Sequence, residues 1–190
     1  MTVAELPRTV VPRPSFRRQV EEMGGETVAA CYQCEKCTNG CPVAYAMDIV
    51  PHKIIRSVHM GLKDDVLNSD TIWICASCET CTTRCPNGID IAHVMDTLRQ
   101  ISQREGRKAS QKNVPIFHST FLASAKRHGR VHEGEMAILY ALRSGGIKGL
   151  LGYAGLGMAM FKRGKVKILP SSLFGNRQMK KLFSRAERKG

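Results

Sequence analysis

Apolar residues recur at helical spacing in several short stretches of the chain, and strand-like alternation is scarce. The clearest stripe is Ile91, Val94, Met95, Leu98 and Ile101, with Asp96, Arg99, Gln100 and Gln103 on the opposite face. Asp90 is placed to cap that helix and Gly106 to end it. Pro51 suits the first turn of another helix, in which Ile54, Ile55 and Val58 form the apolar stripe and Gly61 is the stop. A short helix is expected over 62–67, before the Asn68-Ser69-Asp70 break. Ahead of these, Ser15 is a candidate cap for a helix carrying Phe16, Val20 and Met23 and ended by Gly24-Gly25. The pattern predicts a mostly α fold.

The second half reads less sharply. Phe117, Phe121 and Leu122 suggest a loop and helix over 113–127, and residues 135–143 favour a helix ending at Gly145-Gly146. The following run, 149–161, is 13 uncharged residues with four glycines. Each glycine lowers helix propensity by about 1 kcal/mol relative to Ala. Three readings of this run stand side by side: a core helix, a segment that docks on a partner subunit, and an amphipathic contact with a membrane, given Lys162, Arg163, Lys165 and Lys167 just beyond. It is too short for the roughly 20 apolar residues of a membrane span. Residues 178–190 are basic and polar and are expected to fray.

Charge divides the chain in the same place. Of its 190 residues, 29 are Lys or Arg and 16 Asp or Glu. Residues 1–99 carry 10 basic and 12 acidic side chains, and residues 100–190 carry 19 and 4. All eight cysteines lie in the first half. The basic half points to a docking surface on a protein partner, ahead of a solvated surface or an anionic membrane face, because apolar segments accompany the charge. Nucleic acid is not expected as the partner, because no DNA-binding motif and little aromatic interleaving accompany the charge. The first residues lack the apolar core of a signal peptide, so a cytoplasmic location is expected, where thiols stay reduced and eight cysteines need a reason other than disulfides.

The cysteines supply that reason. Residues 31–42 read CYQCEKCTNGCP and residues 75–86 read CASCETCTTRCP. Each is C-x2-C-x2-C-x3-C-P, the second copy follows the first at an offset of 44 residues, and no cysteine lies outside them. Three thiolates at two-residue gaps can reach three corners of a cubane from one loop. The fourth is carried away by the turn and, in two-cluster ferredoxins, ligates the other cluster. The motif therefore assigns one [4Fe–4S] cluster to Cys31, Cys34, Cys37 and Cys85, and a second to Cys75, Cys78, Cys81 and Cys41. Structural zinc favours paired C-x2-C knuckles well apart in sequence, and buried free cysteines would not repeat at fixed spacing. The six histidines form no metal-ligand pattern, and dinucleotide, phosphate-loop and nucleophile-elbow motifs are absent. No catalytic residue is expected, and the role is electron transfer. Trp73, Ile72, Ile74, Ile49 and Ile91 are expected to shield the clusters from water.

Residues 31–101 resemble the α-helical ferredoxin domain found in the iron–sulfur subunits of succinate dehydrogenase, and in the C-type subunits of anaerobic glycerol-3-phosphate dehydrogenase and heterodisulfide reductase. The match lies in CYQCEKCTNGCPVA, the helix after Pro51, IWICASCETCTTRCPNGIDI and the terminal DTLR. The chain lacks the further cysteine-bearing domains of the first two, so it is most similar to the heterodisulfide reductase C family. That resemblance implies two cubane clusters in loops between helices. It also implies partners: a flavin-bearing A-type subunit and a disulfide-active B-type subunit with CCG domains. The expected organisation is an arm and helix over 1–30, a dicluster domain over 31–106, and a basic docking extension over 107–190. A relay for a respiratory dehydrogenase or quinone-linked complex is the rival reading, and a cluster-bearing nucleic-acid protein a remote one. No transmembrane segment is expected.

Overall fold

The computed structural model describes residues 12–164 and 176–189. Among them there are helices and turns and no strand, so the fold is mostly α. The chain divides into two units, Met1–Gln111 and Lys112–Gly190.

In the first unit, α1 (Pro14–Gly24) begins at Pro14, not after a Ser15 cap. Proline at the first helical position sacrifices an N–H that has no intrahelical partner anyway, so Ser15 lies inside the helix. Gly25, at φ 72°, ends it. Then come α2 (Lys36–Asn39), α3 (Pro51–His59) and α4 (Lys63–Leu67). They are followed by α5 (Thr71–Ile74), α6 (Thr80–Thr83) and α7 (Ile91–Arg104). The Asp90 carboxylate accepts a hydrogen bond from the His93 N–H at 2.9 Å, so α7 is capped as its sequence predicts.

The core lies where α1, α3, α4 and α7 meet. Phe16, Val20, Ile54, Ile55, Val58, Met95 and Leu98 are fully buried there. Burying each such side chain is worth about 1.5–3 kcal/mol, which anchors the helices and leaves the cysteine loops projecting between them.

The repeat seen in the sequence is also a structural repeat. A short helical turn ends at the first cysteine of each motif, with the Cys31 N–H bonded to the Val28 carbonyl and the Cys75 N–H to the Thr71 carbonyl. The one-turn helices α2 and α6 carry the third cysteine of each copy. Thr38 and Thr82, 44 residues apart, do the same work. The Thr38 hydroxyl accepts from the His52 N–H at the start of α3, and the Thr82 hydroxyl from the Ala92 N–H at the start of α7. Each cluster loop is thereby tied to the helix that follows it.

Asp48 joins the two halves of the repeat. Its carboxylate accepts from the N–H groups of Ile49, Asp70 and Thr71 at 2.9–3.0 Å and from the Thr71 hydroxyl at 2.7 Å. Partial burial works against the charge, but these bonds outweigh it and hold the carboxyl below its usual range. A depressed folded pKa gives stability that is complete above the unfolded value, about 3.9, and is lost as pH falls through the folded one. Asp48→Ala should cost about 1–2 kcal/mol, the lower end for a charged acceptor because Asp48 is partly exposed. The cost should shrink in acid. Thermal melts of both proteins from pH 7 to pH 3 measure this, and a gap that stays constant across that range would refute the assignment.

The second unit contains α8 (Asn113–His128), α9 (Glu133–Lys162) and α10 (Asn176–Lys189). Arg143 donates to the Thr120 hydroxyl, the Ser124 hydroxyl accepts from the His132 N–H, and Phe117 meets Tyr140 edge-on at 5.9 Å between centroids. The helix expected to stop at Gly145-Gly146 instead bends there. Gly146 takes φ 60° and ψ −151°, and helix resumes beyond it. Only glycine adopts that conformation readily. The segment over 178–190, expected to fray, falls largely within α10. Its Phe183 ring lies 6.0 Å below the Lys126 ammonium, a contact that charge counting along the sequence does not show.

Candidate metal centre

The two cysteine loops share an uncommon backbone. Gln33, Glu35, Ser77 and Glu79 all have positive φ, 47–63°, though none is glycine. Such residues store strain and concentrate at functional sites. Left-handed residues alternating with others turn successive N–H groups inward, which makes an anion-binding concavity of the kind found around iron–sulfur groups.

Each loop opens on a cavity. The first is lined by Cys31, Cys34, Cys37 and Cys85, with Ile55, Ile89, Ile91 and His52. The second is lined by Cys41, Cys75, Cys78 and Cys81, with Val43, Met47, Pro51, Ile91 and Met95. The fourth cysteine of each motif thus lines the cavity of the other motif. All eight are free thiols. Cys37 is buried, Cys34 and Cys78 are exposed, and the other five are half-buried. Among the described residues, no group of three His, Cys, Asp or Glu side chains converges tightly enough for a single ion. Four sulfurs around one cavity suit the donor set of a multi-iron cluster.

Several groups already address the sulfurs. Gln33 Nε2 donates to Cys31 Sγ at 3.1 Å and the Ile89 N–H to Cys85 Sγ at 3.4 Å. Burial pushes the Cys37 and Cys75 thiols up, and burial together with the neighbouring Cys75 pushes Cys81 up to about 11. Hydrogen bonding from Thr80 pulls the Cys78 thiol down. At neutral pH the raised thiols stay protonated, so a cluster entering these sites must displace their protons.

The two sites differ in their surroundings. Beside the first, His52 Nδ1 is 2.8 Å from the Thr38 hydroxyl and Nε2 is 3.6 Å from Glu35. Beside the second, Arg99 donates to the Ile72 and Cys75 carbonyls, to the Ser77 hydroxyl at 3.3 Å and to Asp96 at 2.7 Å. Its side chain is only 12% exposed. Arg99, placed by helical period on the face opposite the apolar stripe, pins the Cys75 loop.

Of the five side chains expected to shield the clusters, Ile91 alone lines a cavity, and it lines both. Ile72 and Trp73 are buried in the core, and Ile49 and Ile74 are half-buried away from the cavities. The shielding falls to Ile55, Ile89, Met47, Val43 and Met95 instead. Proximity to a cysteine in sequence is the wrong guide, because a turn aims adjacent side chains in different directions. The residues at the starts of α3 and α7 do face the loops tied to them.

An α-helical protein with paired four-thiol cavities in a two-fold sequence repeat is, by class, a dicluster iron–sulfur protein. Residues 30–90 match the family described as 4Fe-4S dicluster domain, and the eight cysteines suit two [4Fe–4S] clusters. Among curated relatives, the second C-type iron–sulfur subunit of the CoB--CoM heterodisulfide reductase of Methanocaldococcus jannaschii is 43% identical over 84 residues, which is 44% of this chain and 45% of that one. The C-type iron–sulfur subunit of the CoB--CoM heterodisulfide reductase of Methanopyrus kandleri is 37% identical over 92 residues, 48% of each chain. The C-type subunit of the H(2):CoB-CoM heterodisulfide,ferredoxin reductase of Methanothermobacter marburgensis is 32% identical over 53 residues, 28% of this chain and 29% of that one. The match spans about half the length of these relatives or less. The chain is similar to the C-type iron–sulfur subunits of heterodisulfide reductases through this cluster-bearing region.

Proposed function

We propose that the chain is the iron–sulfur subunit of a heterodisulfide-reductase-like complex. In this reading it passes single electrons between a flavin-bearing A-type subunit and a disulfide-active B-type subunit with CCG domains. Cys31, Cys34, Cys37 and Cys85 hold one cluster, and Cys75, Cys78, Cys81 and Cys41 hold the other. The observation that carries the reading is the grouping of the eight thiols four and four around two cavities that share Ile91. When bound, each [4Fe–4S] group accepts and gives up one electron at a time.

The chain's own residues supply the rest. Crossed ligation locks the two loops together. Ile55, Ile89, Ile91, Met47 and Met95 keep water from the sulfurs, and hydrogen bonds from Gln33 and the Ile89 N–H lower the electron density on them. Cys34 and Cys78 are the two exposed thiols, so partner centres come closest through them. The likeness to the C-type subunits of heterodisulfide reductases supports the choice of complex.

Anaerobic affinity purification from the native host, followed by mass spectrometry, tests this. The expected co-purifying chains are a flavoprotein and a CCG-domain subunit. Recovery of a dehydrogenase flavoprotein or a quinone-binding membrane subunit instead would move the relay to a respiratory complex.

A further inference from the structure

The distal arm of α9, residues 147–162, has the surface of a buried helix but is not buried. Ile147, Leu151 and Leu156 are 73%, 68% and 62% exposed, and Tyr153, Met158 and Phe161 are about half exposed. Its only polar side chains are Lys148, Tyr153 and Lys162. Lys148, Gly152, Gly155, Ala159 and Lys162 follow one another three or four residues apart, so they share one narrow stripe, and the large apolar side chains occupy the rest of the circumference. A helix apolar over so much of its surface is ordinarily covered.

We propose that this arm lies flat on an anionic lipid bilayer, its large side chains among the acyl chains and its two lysines at the headgroups. Charge favours that occupant. Residues 112–190 carry 16 Lys or Arg and three acidic residues, and no acid occurs from 136 to 186. Each basic residue near an anionic surface is worth about 1 kcal/mol. Geometry favours it as well. Both lysines sit on one stripe at opposite ends, so they reach the same depth only if the axis is parallel to the surface. Sixteen residues make a helix of about 24 Å, short of the roughly 30 Å hydrocarbon core, and no helix among the described residues is long and apolar enough to cross a membrane. A protein groove would be expected to find hydrogen-bonding groups at the rim of the contact, about one per 100–200 Å². Between its terminal lysines this arm offers only Tyr153, a deficiency that acyl chains do not notice.

The rest of the hairpin suits the same surface. A Cβ on Gly149 would stand 2.9 Å from the Ala141 carbonyl oxygen, so the two arms of α9 approach closely after the Gly146 bend. Between them lies an apolar cleft of about 600 Å³, lined by Ala137, Ile138, Ala141, Leu150, Leu156 and Met160 among others.

The test is flotation of the full chain, with its clusters, on phosphatidylcholine vesicles with and without about one third phosphatidylglycerol. The wild type should float with the anionic vesicles and far less with the neutral ones. Lys148→Glu with Lys162→Glu should lower binding at least about tenfold, and Leu151→Glu with Leu156→Glu should abolish it. All four side chains are exposed, so cluster absorbance and thermal midpoint should stay at wild-type values in both variants, which separates loss of binding from loss of fold. A wild type that does not float, or variants that float equally well, would overturn the proposal. If the wild type ignores vesicles but dimerises through the leucines, the arm belongs to a second copy. If it is shielded from labelling only inside a purified complex, the arm belongs to another protein of that complex. Either result also overturns the lipid assignment.

Discussion

Replacing Cys85 with Ser is expected to remove the cluster of the first motif and spare that of the second, although Cys85 belongs to the second motif in sequence. It lines the cavity of Cys31, Cys34 and Cys37, and serine is a poor substitute for a thiolate donor. Iron and acid-labile sulfide should each fall from about eight to about four per chain. The electron paramagnetic resonance spectrum of the reduced protein identifies the survivor. Cys85→Ser should leave the signal that Cys34→Ser leaves, and Cys41→Ser the signal that Cys78→Ser leaves. Spectra that pair Cys85→Ser with Cys78→Ser would show that each motif serves its own cluster. The melting temperature should fall as well, because affinity for a cluster that binds only the folded chain is folding free energy. The loss in Cys85→Ser should exceed that from Asp48→Ala, since it removes both the group and one of the two crossed ties between loops.

Gly61→Val should be the most damaging substitution away from the cysteines. Gly61 follows α3 at φ 73°, a left-handed conformation that costs a residue with a Cβ about 1–2 kcal/mol. Space is the larger obstacle. A Cβ there would stand 2.4 Å from the Arg13 carbonyl oxygen and 2.8 Å from the Arg13 nitrogen, both backbone atoms that cannot rotate away. The same pair of residues is joined by a hydrogen bond from the Arg13 N–H to the Gly61 carbonyl at 2.8 Å, which sets the entry of α1 into the core. Strain, lost hydrogen bonding and displaced α1 together should cost about 3–5 kcal/mol and lower the melting temperature by more than about 10 °C. Gly88→Ala is the control. Gly88 also has positive φ, 66°, but nothing lies within 4 Å of its added Cβ. It should therefore cost only the conformational strain. Equal losses at the two positions would show that the contact with Arg13 contributes nothing.

The cluster-bearing half was legible because its chemistry and its periodicity are both local. Pro51 and Asp90 begin α3 and α7 as the pattern predicts, and the stripes Ile54, Ile55, Val58 and Val94, Leu98, Ile101 are buried. Arg99 shows where period alone misleads. A polar face of a helix can turn toward backbone carbonyls as well as toward water, and the Ile72 and Cys75 carbonyls come from α5 and the residue that ends it, more than 20 residues away in sequence. His52 is a similar case. It is one histidine among six with no ligand spacing, and only the folding of α3 against α2 brings it to Thr38 and the first cavity. The bend at Gly146 was signalled by two adjacent glycines, but glycine marks both helix ends and helix bends, and its presence alone does not distinguish them.

The sequence by itself determined the class of chemistry. Eight thiols in two C-x2-C-x2-C-x3-C-P runs can be read without a fold, since three of each four donors are brought together by a single loop, and the helical stripes around them follow from a period of 3.6 residues. Tertiary structure alone decided which side chains wall the cavities, which cation holds the second loop, and that the arm over 147–162 stands uncovered. Those depend on elements distant in sequence meeting or failing to meet, and spacing along a chain carries no record of either.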